Sequence, residues 1–361
     1  MPSNSKPVVL VAPLDWGLGH ATRCVPIVNS LINADFEVII AAEGAQKALL
    51  AKEFPLGQLV NLPGYRLRYG RTKWGTIFKI FLQIPKILVS IRRENKWLRA
   101  FAAKNRVDFV ISDNRYGFYL SGAPSFFITH QLLIKTPFGK WNERFLQKMN
   151  CRFIKKFTAC WVPDHEGKIN LGGELSHPHY MPSVPVHYLG HLSRMKKEER
   201  EITNDLLVII SGPEPQRSLF EKMIVAQLSQ TDLSATVVRG LPNAASTLHA
   251  SDNIKIYNHL SAADLNNAIN ESSAIISRSG YSTVMDLIPL HKKCIFVPTP
   301  GQTEQEYLAD YLSENNMCIH VRQHDFELIT ALKKLEEMDF VFPEFPENCV
   351  QEIIAKIRAA R

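Results

Sequence analysis

The chain has 361 residues, 45% of them hydrophobic and 21% charged, which excludes a disordered protein and is long enough for two domains. No run of 18 apolar residues and no signal-peptide pattern occurs, so we predict a cytoplasmic protein without a spanning helix. The six cysteines are scattered without a Cys-x-x-Cys pair, which argues against a disulfide framework or a cysteine metal site.

The net charge of +7 conceals a strong asymmetry. Residues 1–190 contain 25 Lys and Arg against 12 Asp and Glu, whereas residues 191–361 contain 17 against 23. We therefore expect two domains with different partners, and an anionic partner for the first. A membrane surface or a phosphorylated acceptor fits better than nucleic acid, because no known module interleaves these basic residues with aromatic platforms.

In chain order, the first half alternates between short apolar runs and helix-length segments. The runs are rich in β-branched and aromatic residues, and they read PVVLVA, FEVIIAA, DFVISD, SFFITH and TACWVP. This alternation predicts a parallel sheet with helices on both faces, which binds ligands where loops leave the carboxyl ends of the strands.

The loop after the first run, within DWGLGHATR, combines glycines with a histidine. An imidazole near its ordinary pKa can remove the proton of an attacking hydroxyl, so we predict His20 as the catalytic base. The alternatives are that His20 caps the helix or binds an acceptor phosphate. Gly17 and Gly19 are expected to leave room for the acceptor, and Arg23 to bind an acceptor phosphate or to pair with a carboxylate.

Two later runs end in polar side chains at the same predicted edge of the sheet. Asp113 follows DFVIS and is the second candidate for the base, or the group that orients an imidazole. His130 and Gln131 follow SFFIT and are predicted to bind the acceptor.

Residues 74–101 form a basic amphipathic segment, in which Ile, Leu, Phe and Trp alternate with six Lys and Arg. Such a helix can lie among the headgroups of an anionic membrane, which would make the protein peripheral on the inner face of the membrane. The alternative is a helix that covers the sheet with a solvated basic face. Pro85 is expected to break or kink it.

The segment at 177–194 is rich in Pro and His and is predicted to link the domains. Asp164-His165-Glu166 and the pair His177 and His179 have spacings typical of metal ligands. No Asp-x-Asp motif occurs in the chain, and we predict no metal site.

The second half repeats the alternation, with DLLVIISG, SATVVRG, NIKIYNH, SAIISRSG and KKCIFVP as its strands. ISRSGYSTVMDL predicts a strand, a tight turn and a helix. Backbone N–H groups at Ser279 and Gly280 can hold an anion, and Ser282 and Thr283 add hydroxyl donors. Asp286, one turn into the helix, can accept hydrogen bonds from ribose hydroxyls.

After the next strand comes VPTPGQTEQEYLADYL, residues 297–312. It predicts a Pro/Gly loop followed by a helix with polar side chains at its start. Gln302, Gln305 and Glu306 are the candidates there for binding sugar hydroxyls.

The stretch from SAADLNNAI through ISRSGYSTVMDL to GQTEQEYLADYL resembles the donor-binding segment of family 28 glycosyltransferases, which include the peptidoglycan lipid-linked N-acetylglucosaminyltransferases. The first half resembles a less characterised glycosyltransferase-like family through its G-x-G-H-x-x-R start and its SD…P…HQ segment, residues 111–131. The resemblance implies the B-type architecture (GT-B), with two Rossmann-like domains facing a cleft, and inverting transfer without a metal.

Carried over by residue, the resemblance gives roles to several side chains of the second half. Asp286 takes the place of the carboxylate that binds the nucleotide ribose, where the peptidoglycan enzyme has Glu. Gln305 and Glu306 match a Gln-Gln pair that holds the donor sugar. His259 and Leu260 match a loop whose backbone reads the base, usually uracil.

One loop departs from the family pattern. Where the family has a Gly-Gly-Ser loop for the diphosphate, this chain has SGPEPQR, residues 211–217. Ser211 and Gly212 remain as candidate donor ligands, but two prolines remove N–H donors and Glu214 adds negative charge. Arg217 or Arg278 is expected to compensate.

The predicted fold is therefore α/β, with two doubly wound Rossmann-like domains. Residues 1–185 are expected to bind the acceptor, residues 186–345 the nucleotide-sugar donor, and residues 346–361 to form a helix that returns to the first domain. The predicted function is inverting, metal-independent transfer of a hexose-type sugar, with a UDP-sugar as co-substrate, to a hydroxyl acceptor that is lipid-linked or anionic. The alternatives are a nucleotide-sugar 2-epimerase and a non-catalytic nucleotide-sugar-binding protein.

Overall fold

The structure, a computed structural model, describes residues 5–66, 73–242, 244, 251–346 and 351–359, with no side chains described at 73–81, 351 and 352. The chain divides into two compact units. The first unit contains residues 1–68, 79–194 and 345–361, and the second contains residues 69–78 and 195–344.

The first unit is built on a seven-stranded sheet in which all neighbouring strands are parallel. The strand order is β3-β2-β1-β4-β5-β6-β7. The strands are β1 (Val8–Pro13), β2 (Glu37–Ala42), β3 (Gln58–Asn61), β4 (Phe109–Asp113), β5 (Ser125–Ile128), β6 (Ala159–Val162) and β7 (Val186–Tyr188).

Helices connect most of these strands, although β4 is followed by β5 without one, and the apolar runs of the sequence become the buried centre of the sheet. Every residue of β1, β4, β5 and β6 is buried, as expected for parallel strands covered on both faces. The helices are α1 (Gly19–Asn33), α2 (Gly44–Glu53), α3 (Lys73–Ala102) and α4 (Lys140–Ile154).

We predicted that Pro85 breaks or kinks the segment 74–101, and the break is wrong. Pro85 lies inside α3, which is continuous from Lys73 to Ala102. Pro85 is exposed, so water can hydrate the carbonyl group that loses its N–H donor.

The second unit repeats the design with six parallel strands in the order β10-β9-β8-β11-β12-β13. A core of aliphatic and aromatic side chains from both strands and helices fills it. Its strands are β8 (Asn204–Ile209), β9 (Ala235–Val238), β10 (Ile254–Tyr257), β11 (Ser272–Ser277), β12 (Lys293–Phe296) and β13 (Ile319–His320), and its helices are α5 (Gln216–Leu228), α6 (Ala262–Asn270), α7 (Tyr281–Leu287), α8 (Thr303–Glu314) and α9 (Leu328–Glu337).

The units differ in their limits from the predicted domains. The first unit extends to Arg194 rather than to residue 185, because β7 pairs with β6 and adds a last strand to the first sheet. The C-terminal helix α10 (Gln351–Ala359) belongs to the first unit, where it packs against α1.

Both sheets have the strand order of a doubly wound fold, which confirms the predicted fold class. In each, the order reverses beside the first strand, between β1 and β4 and between β8 and β11. Loops that leave the carboxyl ends of these strands diverge and open a crevice, where such folds bind their ligands. No described helix is long and apolar enough to cross a membrane.

Candidate active site

His20 is the second residue of α1 and directly follows the loop that connects β1 to α1 at the reversal point of the first sheet. Gly17 has a φ of 76°, a conformation that glycine adopts without strain. The buried side chain of Gln46 holds this loop from α2, because its Nε2 donates to the carbonyl oxygens of Gly17, at 2.7 Å, and of Leu14. Position 17 therefore requires a glycine for its backbone angles. It does not require one for lack of space, because a Cβ there would meet no atom within 4 Å.

His20 and Asp113, predicted from separate stretches of the chain, are in contact. Nδ1 of His20 lies 3.0 Å from Oδ2 of Asp113, which ends the neighbouring strand β4. Nε of Arg23 donates to both oxygens of the same carboxylate, at 3.0 and 2.9 Å, and its Nη2 donates to Oδ1. Of the two predicted roles for Arg23, the structure shows the pairing with a carboxylate.

The cluster is open to solvent at the imidazole alone. The side chains of Asp113 and Arg23 are 0% and 1% exposed, whereas His20 is 14% exposed. His130 closes the buried side, where its Nδ1 lies 3.2 Å from Nη1 of Arg23. His20 is therefore the member of the cluster that a substrate can reach.

The electrostatics of the cluster favour an ionised Asp113 and a neutral His20. Burial opposes ionisation of Asp113, but the charges of Arg23 and His20 and their hydrogen bonds outweigh it and lower the pKa of the carboxyl group. Burial, followed by the charge of Arg23, lowers the pKa of His20. A neutral imidazole at pH 7 can accept a proton.

The two ring nitrogens of His20 have different surroundings. Nδ1 faces both Oδ2 of Asp113 and Nη2 of Arg23, the latter at 2.8 Å. A base acting through Nε2 needs the proton on Nδ1, where it is donated to Asp113. The carboxylate of Asp113 has two oxygens with two lone pairs each. It can therefore accept a hydrogen bond from Nδ1–H of His20 as well as those from Nε and Nη2 of Arg23.

The remaining acceptor candidates of the first unit lie in the same region. Gln131 follows His130 after β5, and its carbonyl oxygen accepts a 2.7 Å hydrogen bond from Nδ2 of Asn150 in α4. Gly19 is the first residue of α1. The acceptor-binding roles of Gln131 and Gly19 stay predictions.

The loop 211–217 of the second unit is neutralised internally. Arg217 donates to Glu214 at 2.6 Å and to the buried Glu221 at 2.5 Å, and Glu221 also pairs with Arg239 at 3.0 Å. The negative charge of Glu214 is therefore compensated, as the sequence led us to expect, but by an Arg217 that is itself buried and bound to two carboxylates.

Arg278 occupies a different place from the one predicted for a diphosphate ligand. It is fully buried, and its guanidinium donates to the carbonyl oxygens of Val297, at 2.9 Å, and Gln216, at 3.2 Å. It also lies over the ring of Phe220, 4.0 Å from the centroid. Burial lowers the pKa of Arg278 to about 9, which keeps it charged at pH 7. Arg278 thus ties together the loops after β8 and β12.

The other predicted donor residues follow β8, β10, β11 and β12, so the parallel sheet brings them to one edge. The loops after β11 and β12 are in contact, because Oγ of the buried Ser279 donates to the carbonyl oxygen of Gln305 at 2.7 Å. Gln305 lies in the first turn of α8, and its side-chain amide binds the preceding loop, accepting from the N–H of Thr299 at 2.8 Å and donating to Gln302 at 2.6 Å. Glu306 accepts from the N–H of Gly301 at 3.1 Å.

Three predicted residues share the partly exposed side of α7. Ser282, Thr283 and Asp286 are half-buried and alternate with the buried Val284 and Met285. The helix begins after Gly280 and has seven residues. His259 and Leu260, after β10, are half-buried too.

Sequence reasoning missed Thr299. This residue is 2% exposed, and its hydroxyl has no hydrogen-bond partner among the described residues. A Cβ on Gly212, whose φ is 109°, would lie 3.7 Å from that hydroxyl. The loop after β8 thus approaches Thr299 closely. Threonine after a strand is common, so the sequence alone gives no signal that the hydroxyl of Thr299 is buried beside the loop after β8.

The possible metal ligands around Asp164 have structural partners instead. The buried carboxylate of Asp164 accepts from the N–H groups of Leu171 and Gly172 and from Oγ of Ser176, at 2.8, 2.9 and 2.5 Å. Nε2 of His165 lies 3.0 Å from Nδ1 of His191. Within the described part of the chain, no group of three or more His, Cys, Asp or Glu could hold a metal ion.

Comparisons with known proteins agree with this architecture. Residues 207–347 match the glycosyltransferase family 28 C-terminal domain. An uncharacterized glycosyltransferase of Methanosarcina acetivorans is 25% identical over 335 residues, covering 82% of this chain and 81% of that protein. The chain is a glycosyltransferase.

A further sequence relative and a solved structure are also similar to this glycosyltransferase. The UDP-N-acetylglucosamine--N-acetylmuramyl-(pentapeptide) pyrophosphoryl-undecaprenol N-acetylglucosamine transferase of a Sulfurihydrogenibium species is 22% identical over 138 residues, covering 36% of this chain and 37% of that protein. The crystal structure of MurG from Acinetobacter baumannii, 15% identical, superposes with a TM-score of 0.57 over 98% of this chain and 99% of that chain. The fold is therefore of the GT-B type.

Proposed function

We propose that this glycosyltransferase moves a hexose-type sugar from a UDP-sugar to a hydroxyl acceptor, with inversion and without a metal. The observation that carries the proposal is the hydrogen-bonded group of His20, Asp113 and Arg23 at the reversal point of the first sheet. A family 28 C-terminal domain in the second half supports a nucleotide-sugar donor there.

In this proposal Nε2 of His20 is the catalytic base. It removes the proton of the acceptor hydroxyl while the oxygen forms a bond to the anomeric carbon, and the bond from that carbon to the diphosphate breaks. The electron pair of the broken bond leaves with the nucleoside diphosphate. Asp113 is the positioning residue, since it holds Nδ1–H and stabilises the imidazolium that forms.

For the donor we assign the edge formed by the loops after β8, β10, β11 and β12. Asp286 would accept the ribose hydroxyls, the backbone at His259 and Leu260 would contact the base, and Gln302 and Glu306 would approach the sugar. Ser211, Gly212, Gly280, Ser282 and Thr283 would face the diphosphate. Arg217 and Arg278 stabilise these loops, because both side chains are buried and form hydrogen bonds within the unit.

The acceptor is assigned to the first unit, with Gly17, Gly19, His130 and Gln131 around the imidazole. The excess of basic residues in the first half supports an anionic or lipid-linked acceptor. The name of the Sulfurihydrogenibium relative, which specifies a pyrophosphoryl-undecaprenol acceptor and a UDP-sugar, supports the same class. An acceptor of this kind places the enzyme at the cytoplasmic face of a membrane.

Titration and turnover with a panel of nucleotide sugars test the proposal. We expect UDP to bind, a UDP-sugar to be consumed in the presence of EDTA, and Asp286→Ala to weaken UDP binding at least tenfold by removing the ribose acceptor. Asp232→Ala, which removes an exposed carboxylate of the second unit before β9, is the matched control and should bind UDP unchanged. A UDP-sugar isomerised without an acceptor would indicate the epimerase alternative, and binding without turnover the non-catalytic one.

A further inference from the structure

Helix α4 carries an unusual exposed surface in the first unit. Trp141 is 84% exposed and Phe145 62%, and Phe138, immediately before the helix, is 55% exposed. Aromatic side chains of this size are usually at least partly buried, because each can remove a large apolar area from water. Three of them exposed within eight residues form an apolar patch that marks an interaction site.

Basic side chains surround and continue this patch. At 100° per residue, Trp141, Phe145, Lys148 and Arg152 lie within a narrow arc of α4, opposite the buried side of Gln147 and Ile154. Lys148 and Arg152 are exposed, so one face is aromatic over its first two turns and basic over the rest. We call this face, from Phe138 to Arg152, the α4 outer surface.

The local charge has one sign. Residues 135–156 contain seven Lys and Arg and a single acid, Glu143. The side chain of Glu143 is 13% exposed, accepts a 3.2 Å hydrogen bond from the N–H of Thr136 and lies 3.9 Å from Nζ of Lys135. Lys135 also pairs with Glu174. The positive charge that the α4 outer surface presents beside its aromatic side chains therefore comes from Lys148 and Arg152, which form no ion pair with any described residue.

We propose that the α4 outer surface docks on an anionic lipid bilayer. Aromatic rings that enter the headgroup region, flanked by Lys and Arg that meet anionic lipids, are the combination that such surfaces require. A second copy of the chain is the poorer partner, because a two-fold contact would bring the same basic side chains face to face.

The inner side of α4 connects this surface to the acceptor residues. Nδ2 of the buried Asn150 donates to the carbonyl oxygen of Gln131, at 2.7 Å, and its Oδ1 accepts from the hydroxyl of Tyr116, at 2.9 Å. Phe153 packs with Ile87 and Ile91 of α3, whose Leu82 is 60% exposed. The part of the inference that concerns a lipid-linked acceptor rests on the proposed function. In that case the α4 outer surface brings the acceptor to Gln131.

Sedimentation with lipid vesicles tests the docking without any acceptor or turnover. The full chain should bind vesicles of phosphatidylcholine with 30% phosphatidylglycerol and should bind pure phosphatidylcholine far more weakly. Lys148→Ala with Arg152→Ala should weaken binding about 25-fold, at about 1 kcal/mol per charge near an anionic surface. Trp141→Ala with Phe145→Ala should weaken it at least ~10-fold.

Matched pairs from the second unit provide the controls. Leu219→Ala with Ile329→Ala removes two exposed apolar side chains, and Lys333→Ala with Lys334→Ala removes two exposed charges. Both pairs should bind vesicles as the native chain does. Brominated lipid should quench tryptophan fluorescence in the native chain, and Trp141→Phe should remove most of that quenching.

Native-like vesicle binding by the Trp141/Phe145 pair would overturn the inference, as would an unquenched Trp141. Loss of a concentration-dependent dimer in that variant, with vesicle binding unchanged, would assign the surface to a second copy instead. UDP binding measured on the same samples separates the two claims, because a chain that binds vesicles but no UDP contradicts only the donor assignment.

Discussion

Arg23 acts on both other members of the proposed catalytic group. Burial and then the charge of Arg23 lower the pKa of His20, and the same charge is the largest cause that lowers the pKa of Asp113 against the effect of burial. The result is an imidazole that can accept a proton at neutral pH, with its solvent side open.

The pH dependence of turnover should report this arrangement. The base acts when neutral, so activity falls on the acid side as His20 protonates, and that limb should lie below the ordinary histidine pKa of 6.5. Arg23→Gln removes a charge that lowers the pKa of His20 and should move the limb to higher pH, whereas Arg23→Lys should move it less. A pH profile of kcat/KM measures the shift, and a limb that stays in place in Arg23→Gln contradicts the assignment.

Thr299 offers a test at the donor edge. A buried hydroxyl without a partner costs about 1–3 kcal/mol, which an apolar group of the same shape avoids. Thr299→Val should therefore raise the free energy of unfolding by about 1 kcal/mol, measured by urea denaturation, while Thr299→Ser should not. A destabilised Thr299→Val would show that the hydroxyl has a partner in solution.

The sequence offered the contact between Asp113 and an imidazole and the pairing of Arg23 with a carboxylate as alternatives, but it did not predict the partners of Arg278. Residues after neighbouring parallel strands must share one edge of a sheet, so two polar residues at strand ends can be placed together from the pattern alone. Whether an arginine faces a ligand or a carbonyl depends on packing between distant segments. Arg278, for example, is buried against Phe220 and the loop after β12, and no local pattern encodes that contact.

At the scale of elements, α3 is fastened to the ends of the strands β1 and β4, next to the proposed catalytic group. Glu94 of α3 pairs with the buried Arg115, whose Nη1 donates to the carbonyl oxygen of Pro13 at the end of β1, at 3.1 Å. Glu94 also accepts from the hydroxyl of Tyr65, at 3.0 Å. Arg115 follows Asp113 by two residues, so this contact positions the ends of both β1 and β4.

Breaking this pair should therefore be costly. Glu94→Ala leaves the guanidinium of Arg115 buried without its carboxylate and should lower the free energy of unfolding by about 3–5 kcal/mol, measured by urea denaturation. Lys6→Ala breaks an exposed ion pair with Asp35 and should leave stability unchanged. A Glu94→Ala variant as stable as Lys6→Ala would contradict the structural role of α3.

The long buried strands were predictable, whereas the short strands and the limits of the units were less so. Buried parallel strands give continuous apolar runs, which is why the runs of both halves became strands. β3, β7 and β13 escaped this reasoning, because each has only two to four residues, all of them half-buried or exposed. β7 also lies within a segment rich in Pro and His. The first unit consequently extends beyond the predicted boundary.

At the scale of the molecule, two units of the same design carry opposite net charge and different sets of side chains. The first has a buried ionic group with one exposed imidazole, and the second has loops held by internal arginines around a hydroxyl-rich edge. In the proposed division, chemistry on the acceptor belongs to the first unit and recognition of the nucleotide to the second.

Turnover of a UDP-sugar by His20→Ala at saturating donor tests this division most directly. The account predicts a rate reduced by about 10²–10⁴, the usual contribution of a general base, with the dissociation constant for UDP unchanged within twofold. Native turnover in His20→Ala, or a loss of UDP binding in that variant, would contradict it.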